Sequence, residues 1–420
     1  YTLPNFIRLL RIFLISQNFS REYMFLINNR FYNLIYSLFL PLQILNAWSI
    51  GPIKLFYIPV GVMGIIGLCY FNNLIKYDRY LKYIAGFAFL LMLSVVMGGF
   101  KVFFPLLSLY AILSSFIIFS ALEKILFFRL SPYIYFISLI LSFIFAPWPG
   151  LPYRFTGLYN DPNYFVMAMI VGIYICVKSY SLGGFYHKLI CILSILLSLY
   201  FTILTQSRGG IVSLLVFGLF YLYVLYKNNR KAAYTVIVLS GIFSGILINN
   251  YGEGLTLVVE RFAQKKSTDK GSSESRLREA SGAIASISFR PEYLLFGAGY
   301  AITNHARISG DNKRESSAIL LKKELIDNHY LTNIRIHVTP IAIIYENGLL
   351  PFITLTIIVL MLLYSLYRSR DWLTLGFFLA LLMQSLTFFA IPFLPFWEGF
   401  FLVISECHTS KNIHSNIREF

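Results

Sequence analysis

Apolar runs of about twenty residues recur along this chain, and they limit its possible folds more than any other feature. Such a run matches the hydrocarbon thickness that a membrane-spanning helix must cross. The composition agrees, because 57% of the 420 residues are hydrophobic and 13% are charged, whereas about a quarter of a typical soluble domain is charged. The sequence therefore predicts an all-α polytopic integral membrane protein.

The apolar runs predict about twelve transmembrane helices. We place them near residues 31–50, 52–71, 83–100, 102–122, 125–148, 163–180, 186–204, 209–226, 232–250, 338–366, 373–390 and 394–408. The predicted organisation is a cytoplasmic or interfacial segment at 1–30, nine helices in 31–250, a large loop at 251–337, further helices in 338–408 and a cytoplasmic tail at 409–420. Arginines interrupt the apolar residues before position 31, which favours an interfacial amphipathic helix there.

The net charge of +16 is distributed unevenly over the predicted loops. Counting both termini, 18 Lys and Arg residues lie on one side of the predicted membrane, and four lie in the short loops of the other side. An excess of basic residues in short loops marks the cytoplasmic side. The predicted membrane topology therefore accounts for most of the net positive charge. Binding to RNA or DNA is not needed to explain it. Both termini are then predicted in the cytoplasm, and the large loop is predicted on the opposite side of the membrane.

The large loop is the main polar stretch of the chain. Residues 251–336 carry 13 basic and 10 acidic side chains, and the stretch ends at His337. A hydrophilic loop that ends in a histidine at the membrane edge indicates chemistry on the outer face. We find no acidic pair on this face with the spacing expected for a divalent metal ion.

Two short segments before this loop carry candidate site residues on the same face. Arg154 and Asp161 belong to the first, in which Asp161-Pro162-Asn163 is also an ordinary signal for the start of a helix. In the second, Arg208 lies between apolar runs and is followed by two glycines. Such an arginine faces a cavity, pairs with a partner or reaches to the membrane surface. The glycines would allow close approach of a ligand or another backbone.

The large loop contributes further arginines. Arg276 and Arg278 open a short amphipathic pattern, which Arg290-Pro291 closes. Guanidinium groups bind phosphate oxygens in a bidentate manner. The alternative is a solvated helix face with salt bridges to neighbouring glutamates.

Histidine is the natural candidate for proton transfer. His337, at the junction of loop and membrane, could accept a proton from a sugar hydroxyl. The structural alternative is a capping or interfacial histidine, and His329 is the competing candidate.

Taken together, these segments resemble the superfamily of O-antigen polymerases and O-antigen ligases, which are bacterial envelope glycosyltransferases. The resemblance rests on four patterns in order. They are Gly157-Leu158-Tyr159-Asn160-Asp161-Pro162-Asn163, then Thr205-Gln206-Ser207-Arg208-Gly209-Gly210, then Ser275-Arg276 with Phe296-Gly297-Ala298-Gly299, and finally His337 with Glu346-x-Gly348. One departure is that the usual His-Asn pair of the family is His337-Val338 here.

The resemblance implies a GT-C-like membrane enzyme with no cofactor and no metal. Its substrates would be undecaprenyl-diphosphate-linked oligosaccharide repeat units, bound among membrane lipids. Arg208 and Arg276 would stabilise the diphosphate, and His337 would deprotonate or orient the acceptor hydroxyl. The implied residues for diphosphate or glycan binding are Arg278, Arg290, Arg154, Asp161 and Glu346.

Within the superfamily, the His337-Val338 departure favours a polymerase, for which a chain-length regulator protein is a further candidate partner. An O-antigen ligase, which moves the glycan to lipid A–core or to protein, is the alternative. A flippase or polysaccharide transporter is the alternative from another class. It would explain the spans but not the charged outer loop.

Overall fold

The computed structural model describes somewhat more than half of the chain. The described residues are 49–50, 53–54, 62, 78–97, 109, 111–116, 124–146, 154–159, 161–238, 241, 294–295, 297, 339–387, 390 and 394–416. Apart from residues 49–50, 53–54 and 62, the predicted spans at 31–50 and 52–71 lie outside the described residues. Most of the predicted spans at 102–122 and 232–250 and most of the large loop also lie outside them.

Helices make up nearly all of the described structure. We number them α1 Asp78–Met97, α2 Lys124–Phe145, α3 Pro162–Ser179, α4 Phe185–Thr205, α5 Arg208–Asn228, α6 Thr339–Asn347, α7 Leu349–Ser369, α8 Trp372–Ser385 and α9 Leu394–Asn416. A 3₁₀ turn, Tyr180–Leu182, follows α3. Two short antiparallel strands, β1 Ser49–Ile50 and β2 Ile53–Lys54, form a hairpin in which Ser49 pairs with Lys54.

Five described helices are long and apolar enough to cross a membrane. They are α2, α3 with its 3₁₀ turn, α4, α5 and α7. α8 is apolar but has 14 residues, which is short for a full hydrocarbon core. The length and the apolar composition of these helices are those of a helical, multi-pass membrane protein.

One predicted span is wrong as a single helix. The apolar run at 338–366 divides into α6 and α7 at Gly348, which has a φ of +89°. Residues with a Cβ atom rarely adopt this backbone conformation. The helix therefore stops and restarts at the glycine. α8 also ends at Ser385, five residues before the predicted end of the 373–390 span.

α3 is the most enclosed of the candidate spans. Seven of its side chains have no exposed surface: Val166, Ile170, Val171, Tyr174, Ile175, Met167 and Cys176. Tyr174 stacks on Phe377 of α8, with 3.9 Å between ring centroids, and its hydroxyl is 2.9 Å from the Thr374 hydroxyl. Because most of its surface is covered by neighbouring helices, α3 is surrounded by protein rather than by lipid.

Small residues allow the closest helix contacts. A Cβ on Gly172 of α3 would collide with the Tyr135 ring of α2, and a Cβ on Gly376 of α8 would collide with Phe220 of α5. Because apolar side chains gain little by leaving lipid for protein, close packing at small residues is a main source of helix association in membranes.

Ion pairs tie four helices together at one end of the bundle. Lys178 of α3 lies 3.3 Å from Asp371, the N-cap of α8, and 3.4 Å from Glu406 of α9. Lys124, the first residue of α2, lies 2.8 Å from the other oxygen of Glu406. Both lysines and Asp371 come from loops or helix ends predicted on the cytoplasmic side. We call this end the ion-pair end.

Candidate functional site

Three buried polar side chains join three helices at the opposite end. Ser207, the N-cap of α5, donates from Oγ to Asn163 Oδ1 on α3 at 2.8 Å and accepts the Gly210 N–H at 3.2 Å. Gln384 in the last turn of α8 donates to the Asn163 carbonyl oxygen at 3.1 Å. We call Asn163, Ser207 and Gln384 the helix-end cluster. All three are at most 5% exposed. Losing one partner would leave a buried group unsatisfied at a cost of about 1–3 kcal/mol.

Arg154 and Asp161 take part in holding the same helix ends. Arg154 Nε donates to the Thr205 carbonyl oxygen at 2.9 Å, at the last residue of α4. Asp161 Oδ1 accepts the Asn163 N–H at 2.7 Å and caps α3. Asp161 therefore has the capping role that the Asp-Pro-Asn pattern indicates as its structural alternative.

Arg208 is half-buried and is the first residue of α5, directly after Ser207 of the helix-end cluster. The two glycines that follow it lie against other elements. A Cβ on Gly209 would collide with the Thr387 side chain, and one on Gly210 would come within 2.5 Å of Val166. The glycines thus bring the start of α5 against α3 and the end of α8.

A cation in the first turn of a helix opposes the helix dipole, because that end carries partial positive charge. Anionic groups, in contrast, bind well at helix N-termini, where backbone N–H groups point outward. The first turn of α5 combines such N–H groups with the Arg208 guanidinium. This combination is suited to binding a phosphate.

Thr339 connects the start of α6 to this end of the bundle. Its hydroxyl donates to the Ser385 carbonyl oxygen at 2.7 Å and accepts the Ala390 N–H at 3.0 Å. Because Ser385 adjoins Gln384, Thr339 is linked to the helix-end cluster. His337 precedes Thr339 by two residues and lies outside the described residues.

The backbones at Gly297 and Gly348 pack directly against each other. Gly297 has a φ of +77°, and a Cβ there would collide with the carbonyl oxygen of Glu346. A Cβ on Gly348 would collide with the carbonyl oxygen of Leu295. Two patterns that are far apart in sequence, Phe296-Gly297 and Glu346-x-Gly348, are thereby brought together. We call this contact the glycine junction.

Glu346 is buried at the glycine junction. It is 1% exposed, and among the described residues neither carboxyl oxygen has a hydrogen-bond partner. An isolated buried carboxylate is costly, because the interior cannot replace its hydration. A neutral carboxylic acid, which can both donate and accept, is the form that this position favours.

Glu346→Gln should therefore preserve folding and most activity, because the amide is neutral and nearly the same shape. Glu346→Lys should destabilise the protein strongly, since it places a cation in the same buried position. Thermal unfolding in detergent measures the two effects. A glutamine variant as damaged as the lysine variant would show that the ionised carboxylate is required.

The remaining predicted site residues have no described position. Arg276, Arg278, Arg290 and His337, and the competitor His329, lie outside the described residues. Prediction from sequence did not single out Gln384, Ser207 or Asn163 as neighbours. Prediction from sequence also missed that Tyr159 lies near Glu398 of α9, a side chain that is 1% exposed. Burial, and then the negative charge of nearby Glu398, raise the pKa of Tyr159 well above its usual value. The sequence feature that could have indicated these contacts is the position of the polar residues at the ends of apolar runs.

The fold and this site define a multi-pass helical membrane protein with a buried polar cluster at one end. Residues 193–350 match the sequence model of the family described as O-Antigen ligase. This match confirms the resemblance of that part of the chain to the superfamily of O-antigen polymerases and ligases. The matched part contains Arg208, the large loop and Glu346, but not Arg154 or Asp161. No curated protein matches the chain.

Proposed function

We propose that this protein is a glycosyltransferase that moves a glycan from undecaprenyl diphosphate to a sugar hydroxyl at the periplasmic face of the inner membrane. The observation that carries the proposal is Arg208 in the first turn of α5, beside the helix-end cluster and inside the part that matches the O-Antigen ligase family. The positive-inside distribution of Lys and Arg supports the periplasmic location of this end.

Arg208 would bind the diphosphate of the donor, together with Arg276 or Arg278 from the large loop. Negative charge grows on the diphosphate as its bond to the sugar breaks, so fixed cations stabilise the transition state more than the ground state. The N–H groups of the first turn of α5 would add to this stabilisation. In this proposal the arginines supply the charge that a divalent metal supplies elsewhere.

His337 would act on the acceptor. In sequence His337 precedes Thr339 by two residues, and Thr339 is tied to the helix ends by its hydroxyl. The acceptor oxygen forms a bond to the anomeric carbon while the bond from that carbon to the diphosphate oxygen breaks. The hydroxyl proton passes to the imidazole, and undecaprenyl diphosphate leaves. A single displacement of this kind inverts the anomeric configuration.

The other predicted residues would take supporting roles. Arg290 and Arg278, which belong to the 251–337 loop, would contact the glycan or the diphosphate. Arg154 and Asp161 hold helix ends through their own hydrogen bonds, so their contribution would be to position Arg208. A GT-C-like arrangement with about twelve spans remains part of this proposal.

Two members of the superfamily are candidates. We favour the polymerase, which adds the growing glycan to the next lipid-linked repeat unit, because His337-Val338 departs from the usual His-Asn pair. A chain-length regulator would be its protein partner. The ligase, which moves the glycan to lipid A–core, is favoured by the description of the matching family.

A deletion strain distinguishes these functions through its surface polysaccharide. Loss of a polymerase should leave lipid A–core with a single repeat unit on a gel. Loss of a ligase should instead leave bare core and polymer on undecaprenyl diphosphate. Absence of lipid-linked repeat units from the outer leaflet would contradict both and indicate a flippase. Complementation with the unaltered chain is the control.

A further inference from the structure

A cavity lies at the ion-pair end, far from Arg208. Its volume is about 460 Å³, and it is lined by Tyr223, Lys227, Tyr367, Arg368, Arg370 and Trp372. These residues come from the last turns of α5 and α7 and from the turn into α8. Arg208 and Lys227 are separated along α5 by about 28 Å, at 1.5 Å per residue. We call this the basic cavity, and it is separate from the proposed active site.

The cations of the basic cavity have no acidic partner among the described residues. Lys227, Arg368 and Arg370 are exposed and form no ion pair within the described part of the chain, and none of the lining residues is acidic. The neighbouring Asp371 is directed elsewhere, because it caps α8 through the Thr374 N–H at 3.1 Å and pairs with Lys178. Three unpaired positive charges around one concave surface favour an anionic ligand.

Aromatic rings form the wall of the cavity. The Trp372 ring meets Tyr223 and Tyr367 edge-on, with centroid distances of 5.8 and 5.7 Å. Tyr223 and Tyr367 nevertheless keep 49% and 63% of their surface exposed. Tyr and Trp concentrate at the boundary between hydrocarbon and water, where one side of the ring is apolar and the other is wet. Such a wall is typical of headgroup depth, and it lies where the candidate spans α5 and α7 end.

Arg370 occupies a position at which glycine is usual. It ends α7 with a φ of +58°, and its N–H bonds to the Tyr367 carbonyl oxygen at 3.1 Å. Helices that end in this left-handed conformation most often use glycine, because it has no Cβ. An arginine here places a third cation at the cavity instead.

We propose that the basic cavity binds the phosphate headgroup of an anionic phospholipid. The guanidinium groups and Lys227 would contact the phosphate oxygens, and the aromatic wall would face the glycerol and the upper acyl chains. A cytoplasmic leaflet, which the Lys and Arg distribution predicts at this end, is rich in anionic lipid. The lipid source is favoured over a soluble phosphate because the lining comes from the ends of membrane spans.

The test uses the full chain, purified and stripped of lipid, and titrated with phosphatidylglycerol or phosphatidylcholine under native mass spectrometry. The triple variant Lys227→Gln, Arg368→Gln and Arg370→Gln should bind phosphatidylglycerol at least about tenfold more weakly. Its phosphatidylcholine binding should not change. Lys188→Gln is the matched control, because Lys188 lies 5.7 Å over the Tyr180 ring at the same end but outside the cavity.

Equal phosphatidylglycerol affinity in the triple variant and the unaltered chain would overturn the proposal. Displacement of phosphatidylglycerol by inorganic phosphate, at a concentration where chloride has no effect, would also overturn it, since the ligand would then be a free anion. A parallel thermal melt in phosphatidylcholine should show that the triple variant is folded. Glycan transfer is not the readout, so failure of this proposal is separable from failure of the proposed function.

Discussion

Replacing Arg208 with alanine should abolish long-chain surface polysaccharide while the protein stays folded in the membrane. Arg208 is half-buried in the first turn of α5, next to the helix-end cluster. A charge-assisted contact that acts in the transition state is worth roughly 1.5–3 kcal/mol, which is about ten- to a hundredfold in rate. Because each polymer needs many successive transfers, even the smaller loss would shorten the product greatly. Gel analysis of glycan length and transfer assays with a lipid-linked donor measure the effect.

Two further variants make this prediction specific. Arg208→Lys should recover part of the activity, since it keeps the charge but loses the bidentate geometry of the guanidinium group. Arg230→Ala should leave glycan length unchanged, because Arg230 lies at the ion-pair end with its guanidinium 5.2 Å from the Tyr226 ring. Normal polymer length in the Arg208→Ala strain would remove Arg208 from the active site. It would also leave the proposed function without its main structural support.

Gly348→Ala should destabilise the protein more than any other single-methyl addition discussed above. Gly348 has a φ of +89° and a ψ of 175°, a combination that is almost confined to glycine and costs other residues about 1–3 kcal/mol. The new Cβ would also collide with the Leu295 carbonyl oxygen, so the total cost should reach about 3 kcal/mol or more. We expect a lower unfolding midpoint in detergent and loss of glycan transfer, because the end of α6 would separate from Leu295 and Gly297 of the large loop.

Gly218→Ala provides the control for this change. Gly218 lies inside α5, and a Cβ there would have no atom within 4 Å. The helix should gain about 0.5–1 kcal/mol from the reduced flexibility of the unfolded chain. If the Gly348→Ala variant unfolds at the same temperature as the unaltered protein, then Leu295 and Gly348 are not in backbone contact. The glycine junction would then not exist.

The helices of this protein could be predicted well where apolar runs end in clear signals. The predicted span at 163–180 corresponds to α3 within one residue, because Asp161-Pro162 marks its start. The prediction at 209–226 corresponds to α5 within two residues, because Ser207 caps one end and polar Asn228 closes the other. In both cases the information that sets the boundary is local in sequence.

The break at Gly348 could not be predicted in the same way. Apolar residues flank Glu346-Asn347-Gly348 on both sides, so the pattern reads as one continuous span. The break depends on the backbone of Leu295 and Gly297, which lies far away in sequence. A backbone contact between residues so far apart in sequence leaves no periodic pattern of apolar residues. The glycine two residues after Glu346 is consistent with such a contact.

The residues of the candidate site also differ in whether they could be predicted from the sequence. Arg208 stood out because an arginine between apolar runs is costly. Its neighbours did not, since the approach of Asn163, Ser207 and Gln384 depends on how three helices pack. The basic cavity also escaped prediction, because Lys227 and Arg368 look like ordinary charges of a cytoplasmic loop until α5 and α7 are placed side by side.

The burial of α3 has a consequence for the synthesis of this protein. Lys178 is made 193 residues before its partner Asp371 and 228 residues before Glu406. At about 5–20 residues per second, the ribosome needs roughly 10–40 s to supply the first of these partners. During this interval α3 has entered the membrane without the helices that later enclose it. Its final packing is therefore a late event in biogenesis, and a chain that stops before α8 would leave Tyr174 and Lys178 without the partners that hold them.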